Sequence, residues 1–129
     1  MSQEGLFSTP AIQSLRLSMD EAAVRQQAIS SNIANINTPG YHRMDVSSSF
    51  ERAYSDALSR AGDGESVGDL PEAKIETAAA QGPARPDGNT VQLEQEMVGM
   101  AQNSARYEFA GQMLAHNFQG IKYAITGQN

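Results

Sequence analysis

The chain has no cysteine and no tryptophan, and aromatic residues make up only 6% of its 129 positions. Without cysteine there is no disulfide framework, no thiolate metal site and no cysteine nucleophile, and the composition suits a protein that crosses between redox compartments. Hydrophobic content of 40% with so few rings leaves little material for a large compact core, and the length suggests one domain at most. Cations are scarce as well. Nine Lys and Arg stand against 15 Asp and Glu, and the formal charge of -6 repels phosphate backbones and anionic lipid surfaces. Neither nucleic acid nor a direct lipid anchor is therefore expected. No run of about 18 apolar residues occurs, so no membrane span is expected. Met1 to Gly5 shows no basic region followed by an apolar stretch, which argues against a cleaved signal peptide and for another route if the protein is exported.

What the sequence does have is helical periodicity at both ends. Ile12, Leu15, Met19, Ala22, Ile29, Ile33 and Ile36 recur in steps of three and four, broken only by Gln26. Thr9 before Pro10 makes a natural helix start, and Thr38-Pro39-Gly40 makes a stop with a type II turn, so the first helix is expected to end near Asn37. The second seam is longer: Leu93, Met97, Met100, Tyr107, Leu114, Phe118, Ile121 and Ile125, with the small residues Ser104 and Gly111 at its two remaining positions. Asn89 and Gln92 read as a capping box for this helix, Glu94 and Glu96 suit its positive end, and Gly127 is its stop.

Between the seams, Phe50, Tyr54, Leu58 and Ala61 share one face of a short amphipathic helix, with Ser48 and Glu51 spaced as a capping box. From Gly62 to Gly88, glycines, prolines and an acidic cluster replace periodicity, and an extended or mobile loop is expected. The expected fold is all-α: long terminal helices packed as an antiparallel coiled-coil hairpin, a short middle helix and a long irregular loop. Its segments are 1–44, 45–61, 62–88 and 89–129, forming one structural domain from both termini. At about 1.5 Å per residue the two helices would span roughly 40 Å and roughly 57 Å, so the second overhangs the first and lacks a partner within the chain. Such a hairpin is marginal alone and is expected to order fully when packed among other subunits.

No catalytic constellation emerges. His42 and His116 lie far apart with no second ligand at metal spacing, Gly62-Asp63-Gly64 lacks the context of a phosphate loop, and no serine stands in a nucleophile elbow. No cofactor, no metal and no enzymatic activity are expected, and Tyr107, Met97, Met100 and Met113 read as packing side chains. One stretch resists a packing explanation. Asn32, Asn35 and Asn37 lower helix propensity within a few residues, and their amides suit a helix end and a contact across subunits. The turn that follows is expected to aim Tyr41 away from the helix.

The run Asn32-Ile33-Ala34-Asn35-Ile36-Asn37-Thr38-Pro39-Gly40-Tyr41 resembles the N-terminal signature of the axial proteins of the bacterial flagellum. Asp87 to Met97, followed by Ala105-Arg106-Tyr107, is similar to the C-terminal signature of the basal-body rod branch of that family. Asn37, and His42-Arg43 after the tyrosine, depart from the proximal rod pattern and bear on the choice among rod paralogues. The resemblance implies a subunit of the proximal rod, with paired terminal helices forming the inner tube and Asn32, Ala34, Asn35, Thr38, Pro39, Gly40 and Tyr41 as the assembly motif. It implies export by the flagellar type III apparatus to a periplasmic rod. The partners it implies are copies of the chain, other rod proteins, and the basal component that joins the rod to the membrane ring and export gate. From the residues alone a second reading stays open, a soluble helical secretion chaperone or adaptor, which would be a dimer of fixed size.

Overall fold

A computed structural model describes residues 9–127; the Met1 to Gly5 stretch and the outer limits of the first and last segments lie outside them. The chain runs α1 (Pro10–Ala34), β1 (Met44–Val46), α2 (Ser48–Gly62), β2 (Ile75–Thr77) and α3 (Leu93–Thr126). Most of the described residues are helical. α1 begins as its sequence dictates: Pro10 occupies the first turn, and the Thr9 hydroxyl accepts from the Ile12 amide at 3.3 Å. It ends at Ala34, one turn before the expected Asn37. At the cap, Asn35 sends both its backbone amide (3.1 Å) and its Nδ2 (2.8 Å) to the Ser31 carbonyl, and the ladder goes no further. α3 stops as expected at Gly127, whose φ of 68° supplies the left-handed cap.

α1 is the spine and touches each of the other four elements. Its contacts with α3 descend one helix as they climb the other. Ile29 Cδ1 lies over Gly99, Asn103 Nδ2 reaches the Ala22 carbonyl, Met19 Cε lies over Gly111, and the Arg16 guanidinium sits 5.7 Å from the Phe118 ring centroid. Glycines at 99 and 111 and alanines at 22 and 110 let the two backbones come close. α3 spans 34 residues against 25 for α1.

The middle of the chain departs from an all-α reading. Met44–Val46 and Ile75–Thr77 pair as a two-stranded antiparallel sheet, with Met44 opposite Thr77 and Val46 opposite Ile75. Strands of three residues carry too few alternations to register as periodicity, so Ile75–Thr77 fell within the expected loop, and Asp45 and Val46 within the segment given to the short helix. The loop is pinned further along, where Val67 is buried and its amide donates to Gln13 Oε1 at 3.1 Å. α2 lays Phe50 and Ala57 inward, and its cap is Ser47, whose hydroxyl accepts from the Phe50 amide. Ser48 does not cap, and Glu51 does not close a capping box because Arg25 claims its carboxylate. The core is thin: Ile12, Ala22, Ala28 and Ile29 of α1 meet Val46, Phe50, Ala57 and Val67 on one flank and Val91 and Ala110 on the other.

Candidate assembly interface

The two motifs singled out in the sequence meet in space. Asn89 is fully buried, and its Nδ2 donates to the carbonyls of Asn35 (2.9 Å), Ile36 (3.3 Å) and Thr38 (2.8 Å), the acceptors left over where α1 ends. Arg85 Nη2 also donates to the Ile36 carbonyl. Asn89 Oδ1 accepts from the Val91 amide at 2.8 Å, which orients the amide group. Asn89 thus closes the C-terminus of the first helix. It does not cap the last one, where Gln92 is the N-cap residue and makes no side-chain cap bond. The backbones are stitched alongside: Gly40 N donates to Asp87 O at 2.8 Å, and Thr90 N donates to Tyr41 O at 3.0 Å. Gly40 and Gly88 hold φ of 71° and 82°, a backbone conformation that calls for glycine, and a side chain at either would find room.

Asn32 does the same work on the other side of the turn. It is fully buried, donates to the Met44 carbonyl at 2.9 Å and accepts from the Met44 amide at 2.8 Å, pairing the helix with the start of β1 as a strand residue would. Tyr41 does not point away from the helix as expected. Its hydroxyl lies 3.0 Å from Ser31 Oγ and donates to Asn32 Oδ1 at 3.2 Å, because the turn reverses the chain onto the last turn of α1. Ala34, Thr38, Pro39 and Gly40 are exposed, and Asn35 and Tyr41 are half-buried.

Behind the junction lies a charge network that motif reading missed. Arg43, 7% exposed, donates to Glu96 Oε1 (3.1 Å), Asp45 Oδ2 (3.4 Å) and the Ala79 carbonyl, tying β1, α3 and the returning loop together. Arg25 bridges Glu21 at 2.6 Å, Asp45 at 2.9 Å and Glu51. Burial opposes its charge, but the hydrogen bond it donates to Glu21 and the fields of Glu21, Asp45 and Glu51 raise its pKa above the ordinary value. The signal for this network was the presence of Glu21 and Glu96 each one position from a seam residue.

Glu51 is pushed up from the usual 4.5, first by burial and then by its hydrogen bond with Glu21, against the pull of Arg25. A raised carboxyl favours the fold fully below that usual value, and this contribution is lost as pH rises through the raised one. Glu51→Gln should therefore flatten the fall of the thermal midpoint as pH rises above the usual carboxylate range. Because the side chain is 37% exposed, screening holds the effect to about 1 kcal/mol or less. An unchanged pH profile in the variant would show that another group sets it.

The seam residues divide into two sets. Ile12 and Ile29 are buried, while Leu15, Met19, Ile33, Met100, Leu114, Phe118 and Ile121 are half-buried along the contact of α1 with α3. Leu93 (41% exposed), Met97 (57%) and Ile125 (56%) are exposed, and Tyr107 (45%) stands at the edge of the contact. The fully buried positions of α3 are Glu96, Asn103 and Ala110, so the junction and the Arg43–Glu96 pair rotate the helix away from the line its apolar letters suggested. Val98, Phe109, Met113 and Tyr123 add exposed apolar area on the far side. A helix apolar around most of its circumference, yet packed on one side only, is built for further neighbours.

A sequence profile described as flagella basal body rod protein matches residues 18–42, the second half of α1 and the turn after it. The flagellar basal body rod protein FlgB of Cereibacter sphaeroides is 31% identical over 108 residues, covering 81% of this chain and 84% of that protein. The chain belongs to the FlgB family of flagellar basal body rod proteins. FlgB of Bacillus subtilis is 29% identical over 131 aligned positions, covering 95% of this chain and 97% of its own length, and FlgB of Escherichia coli is 29% identical over 121. In this FlgB-family chain the profile match ends at His42, so the Asn89 half of the junction lies beyond it. Among the described residues no helix is long and apolar enough to cross a membrane, and no group of His, Asp or Glu is arranged to hold a metal ion.

Proposed function

We propose that the chain is a structural subunit of the proximal rod, self-assembling through α1 and α3 packed as an antiparallel coiled-coil hairpin and transmitting torque along the drive shaft. The observation that carries the reading is the apolar surface of α3 left uncovered by its own chain, on a protein whose junction fixes how the two helices are presented. Interlocked helices resist shear because every side chain in the seam must move at once, and no covalent chemistry is required. Copies of the chain, other rod proteins and the basal component joining rod to membrane ring and export gate are the proposed neighbours. Export by the flagellar type III apparatus fits a chain whose helices complete their burial only on assembly.

The experiment is to delete the gene in its source bacterium and to follow a tagged copy into purified basal bodies. Loss of swimming, restored by the tagged copy, and its presence in the rod fraction are the expected results. A motile deletion strain whose basal bodies lack the protein would refute the reading. A soluble dimer of fixed size in place of rod-associated protein would favour the chaperone alternative.

A further inference from the structure

One side of the seam between α1 and α3 is hollow. Ala22 and Ala23 on one helix and Ser104 on the other floor a groove of about 470 Å³, rimmed by Tyr107 and Glu108. A second hollow shares Ala23 and Tyr107 with it and adds Asp20, so the groove continues along the helices. The small residues Ala22, Ala23 and Ser104 leave this space unfilled among the described residues. Within the same wall Asn103 is 3% exposed, and its Oδ1 has no hydrogen-bond partner among the described residues.

Phe109, at 64% exposure, stands out furthest of the large apolar side chains among the described residues. At about 100° per residue it lies about 100° around the helix from Glu108 and about 140° from Ser104, on a different side from the hole. Arg106 precedes it by three positions and shares its side, as does Met113. The charges are complementary: the hole carries Asp20 and Glu108, its one cation Arg16 lies over the Phe118 ring, and the protruding side carries Arg106; Asp20, Glu108 and Arg106 have no ion-pair partner among the described residues.

We propose that Phe109 of one copy seats in the Ala22–Ala23–Ser104 hole of a second copy, with Arg106 meeting Glu108 and Asp20 at its rim. This rests on the rod-subunit reading and specifies its self-contact. Knob and hole are different surfaces of one molecule, so each copy offers a free knob and a free hole after pairing. Such a heterologous contact propagates into an open series and does not close as a two-fold dimer.

The test uses the full chain, whose lack of cysteine gives a clean background. Chains carrying Ser104→Cys and Met113→Cys are mixed and oxidised, and assembly is followed by sedimentation. The mixed disulfide should exceed either homodimer about tenfold, and wild-type chain should give a ladder of sizes. Glu108→Arg or Arg106→Glu alone should weaken assembly about tenfold, and the two together in one chain should restore it. All are exposed positions, so circular dichroism should report unchanged helix content. Equal cross-linking of all pairs, a closed dimer as end-point, or a double reversal no better than the singles would overturn the proposal while wild-type assembly still upheld the rod reading. If wild-type chain never associates, the rod reading fails together with it.

Discussion

Replacing Asn89 by alanine is expected to destabilise the chain by about 2–3 kcal/mol. The reason lies in what the amide leaves behind. The buried Val91 amide loses its acceptor, and the carbonyls of Asn35, Ile36 and Thr38 each lose one of two donors, keeping Thr38 N, Arg85 Nη2 and Tyr41 N respectively. A buried polar group deprived of its partner costs far more than the net worth of one exchanged hydrogen bond. Asn35→Ala is the control, because that side chain bonds within its own helix and its loss should cost about 1 kcal/mol or less. Urea denaturation followed by far-ultraviolet dichroism reads both. Equal, small effects for the two variants would mean that the junction is not what fastens the N-terminal helix to the C-terminal segment.

That junction also explains which parts of the fold were legible. Thr9-Pro10 and Gly127 act on backbone groups within four residues of themselves, and the sequence showed both ends correctly. Asn89 acts on carbonyls more than fifty positions away, and from its spacing to Gln92 it was assigned to the nearer helix. Tyr41 went astray for a similar reason. A turn can be recognised from Pro39-Gly40, but the side on which the chain returns is set by Asn32 and Ser31 receiving the phenol. Within the single chain the buried line of α3 runs through Glu96, Asn103 and Ala110, beside the apolar seam. Counting apolar letters placed Met97 inside, whereas the buried position is Glu96, held there by Arg43 of a segment that periodicity does not see. The pair β1 and β2 left no trace in the pattern because each strand is three residues long.

The second large effect follows from uneven burial along α3. Its first turns are clamped by the junction and by Asn103 on the Ala22 carbonyl, but from 119 to 127 every residue except Ile121 is exposed. An isolated helical stretch of that length is marginal in water, since the cost of fixing its backbone is not offset by packing. Local opening should therefore be frequent at this end and rare near the junction, and the distal segment should become protected only when neighbouring copies cover it. Protection factors for amides between Ala28 and Asn35 should exceed those beyond 119 by about a thousandfold or more in the free chain.

Amide hydrogen exchange on the free chain in dilute solution, repeated on the assembled form, therefore bears most directly on the claim that the terminal helices complete their burial by association. The account expects strong protection at the junction, little beyond 119, and gain of the missing protection on assembly. Uniform protection along the whole of α3 in the free chain, with one cooperative melt independent of concentration, would contradict it.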